Sequence, residues 1–163
     1  MSLQAQIEAY LTRVWGSPAV VTMLSRIPGG ASRETYRLDV VSGGETRRLI
    51  LRRDPPGSLI DTERKIEFEA IRSFHGSGLP APEAVALEED GAELERPFFI
   101  MGRIDGGKAQ SPFSVPPYGE HAETIGEQFY SHLGVIARAD VAGLPLAKVC
   151  ETQIGRASCR ERV

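Results

Sequence analysis

Leu3, Ile7, Leu11 and Val14 recur at helical spacing before Gly16-Ser17-Pro18 stops the pattern, which predicts a short amphipathic helix laid on the domain. The period then changes to two. Val20 to Ile27 reads as a strand, Thr35 to Val41 as a second in which Tyr36, Leu38 and Val40 share a face, and Thr46 to Arg53 as a third. Glycine pairs separate them: Gly29-Gly30 after the first strand and Gly43-Gly44 after the second.

In the third strand Leu49 and Leu51 point one way while Arg48, Ile50 and Arg52 point the other, so a cation is delivered among apolar residues. Arg53, on the opposite face, is expected to stand in water. Asp54-Pro55-Pro56-Gly57 breaks the strand, and a helix is expected from Asp61 or Thr62 to about Phe74, ended by His75-Gly76-Ser77-Gly78. Its apolar stripe comprises Ile66, Ala70, Ile71 and Phe74, with Glu67 inside the stripe and Glu69 outside it. A carboxylate inside a buried stripe is costly unless it meets a cation, and Arg52 is the natural partner for Glu67.

Two more strands are expected at Glu83 to Leu87 and Pro97 to Met101, joined by the acidic turn Glu88-Glu89-Asp90-Gly91. The second is apolar on both faces, hence buried, and ends at Gly102-Arg103-Ile104-Asp105-Gly106-Gly107. Three prolines between Gln110 and Pro117 mark a boundary, beyond which Ile125, Phe129, Leu133 and Ile136 repeat at helical spacing. The expected fold class is α+β, an antiparallel sheet of about five strands with a packed helix, followed by the first of a set of further helices. Residues 1–105 would form the sheet unit and 106–150 a linker and the start of the helical part. The tail 151–163 carries three arginines between Gly155 and Val163 without a periodic partner, and resembles vector- or adapter-derived sequence.

Composition narrows the function classes. With 41% apolar and 25% charged residues over 163 positions, the chain can bury a core as one domain, or as a domain plus part of another. A net charge of -3 with interspersed signs gives no basic stripe for a nucleic-acid backbone. No apolar run approaches the length of a membrane span, and Met1 to Trp15 lacks the pattern of a signal peptide. Cys150 and Cys159 fit neither a four-ligand metal spacing nor a disulfide framework, so a reducing cytoplasm is the expected location.

Chemistry enters through glycine. Gly29 and Gly30 permit positive φ and leave the backbone bare, so a loop there can turn several N–H groups toward an anion such as phosphate. The spacing Gly102-x-x-x-x-Gly107-Lys108 imitates a phosphate-binding P-loop, but Ala109 stands where a hydroxyl would hold magnesium, and the prolines that follow cannot open a helix.

The succession of strand, glycine turn, strand, cationic strand, helix with an inward Glu and two strands resembles the small lobe of the protein-kinase-like fold. It is closer still to the aminoglycoside phosphotransferase and choline kinase-like superfamily. The residues that carry the resemblance are Pro28-Gly-Gly-Ala-Ser-Arg-Glu-Thr-Tyr36, Leu49-Ile-Leu-Arg-Arg-Asp-Pro-Pro-Gly57, Glu67 with Ile71 and Phe74, His75-Gly-Ser-Gly-Leu-Pro-Ala-Pro82, and Pro97-Phe-Phe-Ile-Met101. The Leu-Arg-Arg-x-Pro-Pro-Gly form looks most like phosphotransferase domains found alongside some acyl-CoA dehydrogenases.

The resemblance implies roles. The Gly29-Gly30 loop with Ser32 would cover the ATP phosphates, and Arg52 would replace the kinase strand lysine, contacting phosphates and pairing with Glu67. Met101 would back the adenine pocket, while the Gly102 carbonyl and the Ile104 N–H would hydrogen-bond the base. The intact parent would use ATP and Mg²⁺ to phosphorylate a hydroxyl of a small-molecule acceptor. No His-Gly-Asp segment with its following Asn, and no later magnesium-binding Asp, occurs here, so no catalytic residue and no metal ligand is assigned. The expectation is an N-terminal fragment of such an enzyme, inactive alone; the alternative is a truncated lobe that binds nucleotide or a partner without catalysis.

Overall fold

The computed structural model describes residues 1–28, 33–55, 64–106, 116 and 118–150. Helix α1 (Leu3–Trp15) starts at Ser2, whose hydroxyl accepts the Ala5 N–H at 3.3 Å, and ends at Gly16, where φ of 66° requires a residue without Cβ strain. Its buried seam is Ile7, Tyr10 and Leu11, and the Tyr10 ring meets Phe98 edge-on at 5.0 Å. Val14 is exposed instead, and Tyr10 completes the seam.

Strands β1 (Ala19–Ile27), β2 (Glu34–Ser42), β3 (Glu45–Arg53), β4 (Ala84–Glu88) and β5 (Phe98–Gly102) form one antiparallel sheet in the order β1-β2-β3-β5-β4. Gly43 and Gly44, at φ of 61° and 85°, make the two-residue turn between β2 and β3, a geometry that β-branched or bulky residues resist. Register is irregular at both ends of the sheet, between Val21 and Met23 in β1 and between Ala84 and Ala86 in β4. Side chains of α1 reach β1 there. Gln4 Nε2 donates to the Val21 carbonyl at 2.9 Å, Glu8 Oε1 accepts the Val21 N–H at 2.9 Å, and Thr12 Oγ1 accepts the Ala19 N–H at 3.0 Å.

The two faces of the sheet differ. On the outer face Val21, Leu38, Val40, Leu49, Leu51, Phe98 and Ile100 are buried together with the α1 seam and with Leu94. On the inner face helix α2 (Arg64–Phe74) covers only part, Phe68 meeting Phe99 edge-on at 6.2 Å. The remainder of that face, from Ile27 to Met101, is open and forms a cleft.

Three expectations need correction. Arg53 is 7% exposed, because α1 and the segment around Leu94 close the outer face over it. Its guanidinium donates to Glu34 Oε2 at 2.8 and 3.2 Å and to the Leu94 carbonyl at 3.4 Å. Glu34 Oε2 also accepts from Arg96 at 3.1 Å. In α2 the buried residues are Phe68 and Glu69, while Ile66, Ala70, Ile71 and Phe74 are only half-buried. The helix is packed between the sheet and the 3-10 turn Pro145–Lys148, so burial is not confined to one stripe. Glu69, read as outside the stripe, has Arg72 Nη2 2.6 Å from an oxygen that makes no aligned hydrogen bond.

Helix α3 (Ala122–Ala137) follows the 3-10 turn Gly119–His121 and buries no residue; Phe129, Leu133 and Ile136 stand exposed. Beyond it the Leu146 N–H donates to Ser73 Oγ at 3.0 Å, tying the chain back to α2. No helix among the described residues is long and apolar enough to cross a membrane. The tail 151–163, read as foreign to the fold, lies outside the described residues.

Candidate functional site

Strand parity places Arg52 on the inner face, where its register partners are Thr35 on β2 and Phe99 on β5. Glu67, in the first turn of α2, lies over the same face. The two meet as the sequence reading paired them: Arg52 Nη1 donates to Glu67 Oε1. The other oxygen, Glu67 Oε2, accepts from Arg33 Nη1, and Arg33 Nε lies 3.6 Å from Asp54 Oδ1. Arg64 closes the cluster on Asp54, donating to Oδ2 and, at 3.4 Å, to Oδ1. Both Arg33 and Arg52 hold their guanidinium carbons 5.6 Å from the centre of the Phe99 ring, a cation–π distance.

Among the described residues, three guanidinium groups thus meet two carboxylates at one end of the inner face. Exposure separates the cations: the Arg33 side chain is 4% exposed and the Arg52 side chain 29%. With Arg64 at 14%, Arg52 is the most open of the three to an incoming anion.

Beside the cluster lies a cleft of about 570 Å³, lined by Ile27, Ile50, Met101, Gly102, Ile104 and Arg103 among others. Ile50 and Arg52 share the inner face two strand positions apart, so the cation stands roughly 7 Å along β3 from the apolar floor. At the cleft's rim the Gly102 N–H donates to the Glu83 carbonyl at 2.8 Å and the Arg103 N–H to the Arg48 carbonyl at 2.9 Å. The Ile104 N–H has no hydrogen-bond partner among the described residues. Arg103 braces the rim by donating to Asp39 and Asp105, each at 2.8 Å. Hydrogen bonds from Arg48 and Arg103 hold the Asp105 carboxyl below its ordinary range.

Of the residues singled out from sequence, Arg52 and Glu67 are brought together, and Met101, Gly102 and Ile104 line the cleft. Gly29, Gly30 and Ser32 lie outside the described residues, between Pro28 and Arg33, as do Gly107, Lys108 and Ala109. Sequence reasoning gave no part to Arg33, Asp54, Arg64 or Phe99. A signal for Arg33 was present: counted by twos from Thr35 and Arg37, it falls on the inner face beside Arg52.

A five-stranded antiparallel sheet with a helix across its inner face, joined to the third strand by an acid–base pair, is the small lobe of the protein-kinase-like fold. The sequence profile of the phosphotransferase enzyme family APH matches residues 24–160, and the chain belongs to that family. A crystal structure described as an aminoglycoside phosphotransferase of Ralstonia eutropha shares this fold, with a TM-score of 0.51 and 23% identity over 69% of this chain and 31% of that one. Among characterised sequences, a protein named probable acyl-CoA dehydrogenase IBR3 from Arabidopsis thaliana is 28% identical over 142 residues, 82% of this chain and 17% of its own length. Mouse acyl-CoA dehydrogenase family member 10 is 30% identical over 106 residues, 63% of this chain and 10% of its own. The chain therefore spans only a small part of the relatives it matches.

Proposed function

We propose that these residues form the nucleotide-binding lobe of a phosphotransferase that uses ATP to phosphorylate a hydroxyl of a small molecule, and that they bind nucleotide without transferring phosphate by themselves. The observation that carries this reading is Arg52, a partly exposed guanidinium held by Glu67 two positions along β3 from Ile50, which lines a cleft of mixed apolar and charged residues. A purine ring would lie between Ile27, Ile50 and Met101, where the Ile104 N–H, unpartnered among the described residues, would offer the base a donor. From there a polyphosphate would extend toward the guanidinium groups around Glu67, the part of the site to which the family resemblance assigns Gly29, Gly30 and Ser32. Guanidinium grips phosphate with two parallel donors, so an arginine here fixes a phosphate orientation that a lysine would leave free.

The cleft volume and donor set fit a nucleotide, which when bound supplies a phosphoryl group on a good leaving group. Among the described residues no three of His, Cys, Asp and Glu stand together as a metal site, and no residue here is assigned to magnesium. No His-Gly-Asp triplet occurs in the sequence to orient an acceptor hydroxyl, which supports binding without turnover.

Calorimetry with a non-hydrolysable ATP analogue and with adenosine tests the proposal. The chain is expected to bind the analogue more tightly than adenosine, and Arg52→Ala to reduce the ratio of the two affinities about tenfold, the worth of a charge-assisted hydrogen bond. An unchanged ratio in Arg52→Ala refutes the assignment.

A further inference from the structure

Glu67 carries more cation than an acid–base pair needs. One oxygen accepts from Arg52 and the other from Arg33, and the two arginines are anchored very differently. Arg33 is all but fully buried, hydrogen-bonded to Glu67, within 3.6 Å of Asp54 and against Phe99; Asp54 is itself fixed by Arg64. Among the described residues Arg52 has only Glu67 and the face of Phe99, and its side chain is 29% exposed.

We propose that Arg33 is a positioning residue that holds Glu67 while Arg52 turns to the nucleotide phosphate. The inference rests on the nucleotide reading above. A half-buried carboxylate with a single cation resists losing it, because the carboxylate is then left uncompensated. With Arg33 on Oε2, Glu67 keeps a charge-assisted hydrogen bond when Oε1 is vacated, so Arg52 is released at little cost. Arg33 does not itself reach the ligand; its burial and its three contacts keep it in place. Without it, Glu67 has both oxygens for the fork of Arg52 and competes with phosphate for the same guanidinium.

The test measures binding of the ATP analogue and of adenosine to the wild-type chain, Arg33→Gln, Glu67→Gln and the double variant. Arg33→Gln is expected to weaken the analogue about tenfold relative to adenosine, and adding Glu67→Gln to bring the ratio back to within about threefold of wild type, because the competing carboxylate has gone. A double variant as weak as Arg33→Gln, or weaker, overturns the proposal, since that is the result if Arg33 touches phosphate or merely holds the fold. An Arg33→Gln ratio equal to wild type overturns it while leaving the nucleotide reading intact. A wild-type chain that does not distinguish the analogue from adenosine removes the nucleotide reading and the inference with it. Should Arg33→Gln fail to fold, Arg33→Lys, which retains a cation but not the double contact, is read instead; an intermediate loss reversed by Glu67→Gln is expected, and a loss not so reversed counts against the proposal.

Discussion

Replacing Glu34 by Gln removes a charge from the most enclosed ion cluster on the outer face while keeping the shape of the side chain. In the native chain Glu34 Oε2 receives two hydrogen bonds from Arg53, one from Arg96 and one from the Tyr36 hydroxyl, and a guanidinium nitrogen of Arg26 lies 3.7 Å from the other oxygen. Burial raises the Glu34 pKa, but the hydrogen bond and charge of Arg53, with the charges of Arg96 and Arg26, outweigh it and leave the carboxyl below its ordinary value. An amide oxygen still accepts from Arg53, so the variant loses charge assistance rather than every contact, about 2 kcal/mol at neutral pH. For a chain of this size that corresponds to a fall of about 4 to 8 °C in melting temperature. Because the folded pKa is depressed, the stabilisation is present above the ordinary value of 4.5 and disappears as pH falls through the folded pKa. Urea unfolding followed by circular dichroism, from about pH 7 down to about pH 3.5, should therefore show the two proteins converging in acid. A gap that stays constant or widens on acidification would refute the reasoning.

Phe98→Ala removes a fully buried ring that packs edge-on against Tyr10, and should cost about 3 to 5 kcal/mol in urea unfolding, with α1 loosened along with the sheet. Gly91→Ala should cost about 1 to 3 kcal/mol, since φ is +77° and an added Cβ would lie 3.0 Å from the Arg96 Cα; the same assay reads it. By contrast, Leu133→Lys on the open face of α3 should change stability by less than about 0.5 kcal/mol.

The strands were legible where apolar residues alternate at period two, as Tyr36, Leu38 and Val40 do, where glycine or proline bounds them, and where a short run such as Phe98 to Met101 is apolar throughout. The Arg52–Glu67 pair was legible for a different reason: a carboxylate at that helical phase has few cations within reach. Alternation assigned Arg53 to the correct face but could not tell what covers that face. The cover includes Leu94, which lies in an irregular segment where no period marks it as core. In α2 the moment of the sequence pointed to one stripe, whereas the helix has neighbours on two sides, and Phe68 and Glu69 became the buried pair. Arg33 escaped notice because it directly precedes β2, where a charged residue beside a glycine loop ordinarily reads as solvated. Its burial is produced by Asp54 and Glu67, 21 and 34 residues away, and no local pattern reports such partners.

An open sheet offers its outermost strands as templates for further strands, and this one has two such margins, β1 and β4. At β1 the Ala19 and Val21 amides and the Val21 carbonyl, groups that an added strand would grip, are taken by Thr12, Glu8 and Gln4, three side chains on successive turns of α1. At β4 the margin is only five residues long and its pairing slips by one, which bends it away from the straight ladder an addition requires. Helix α1 therefore has a second duty beyond roofing the core: it occupies the start of one margin, so a chain shorn of it would offer an incoming strand a longer edge as well as an uncovered core.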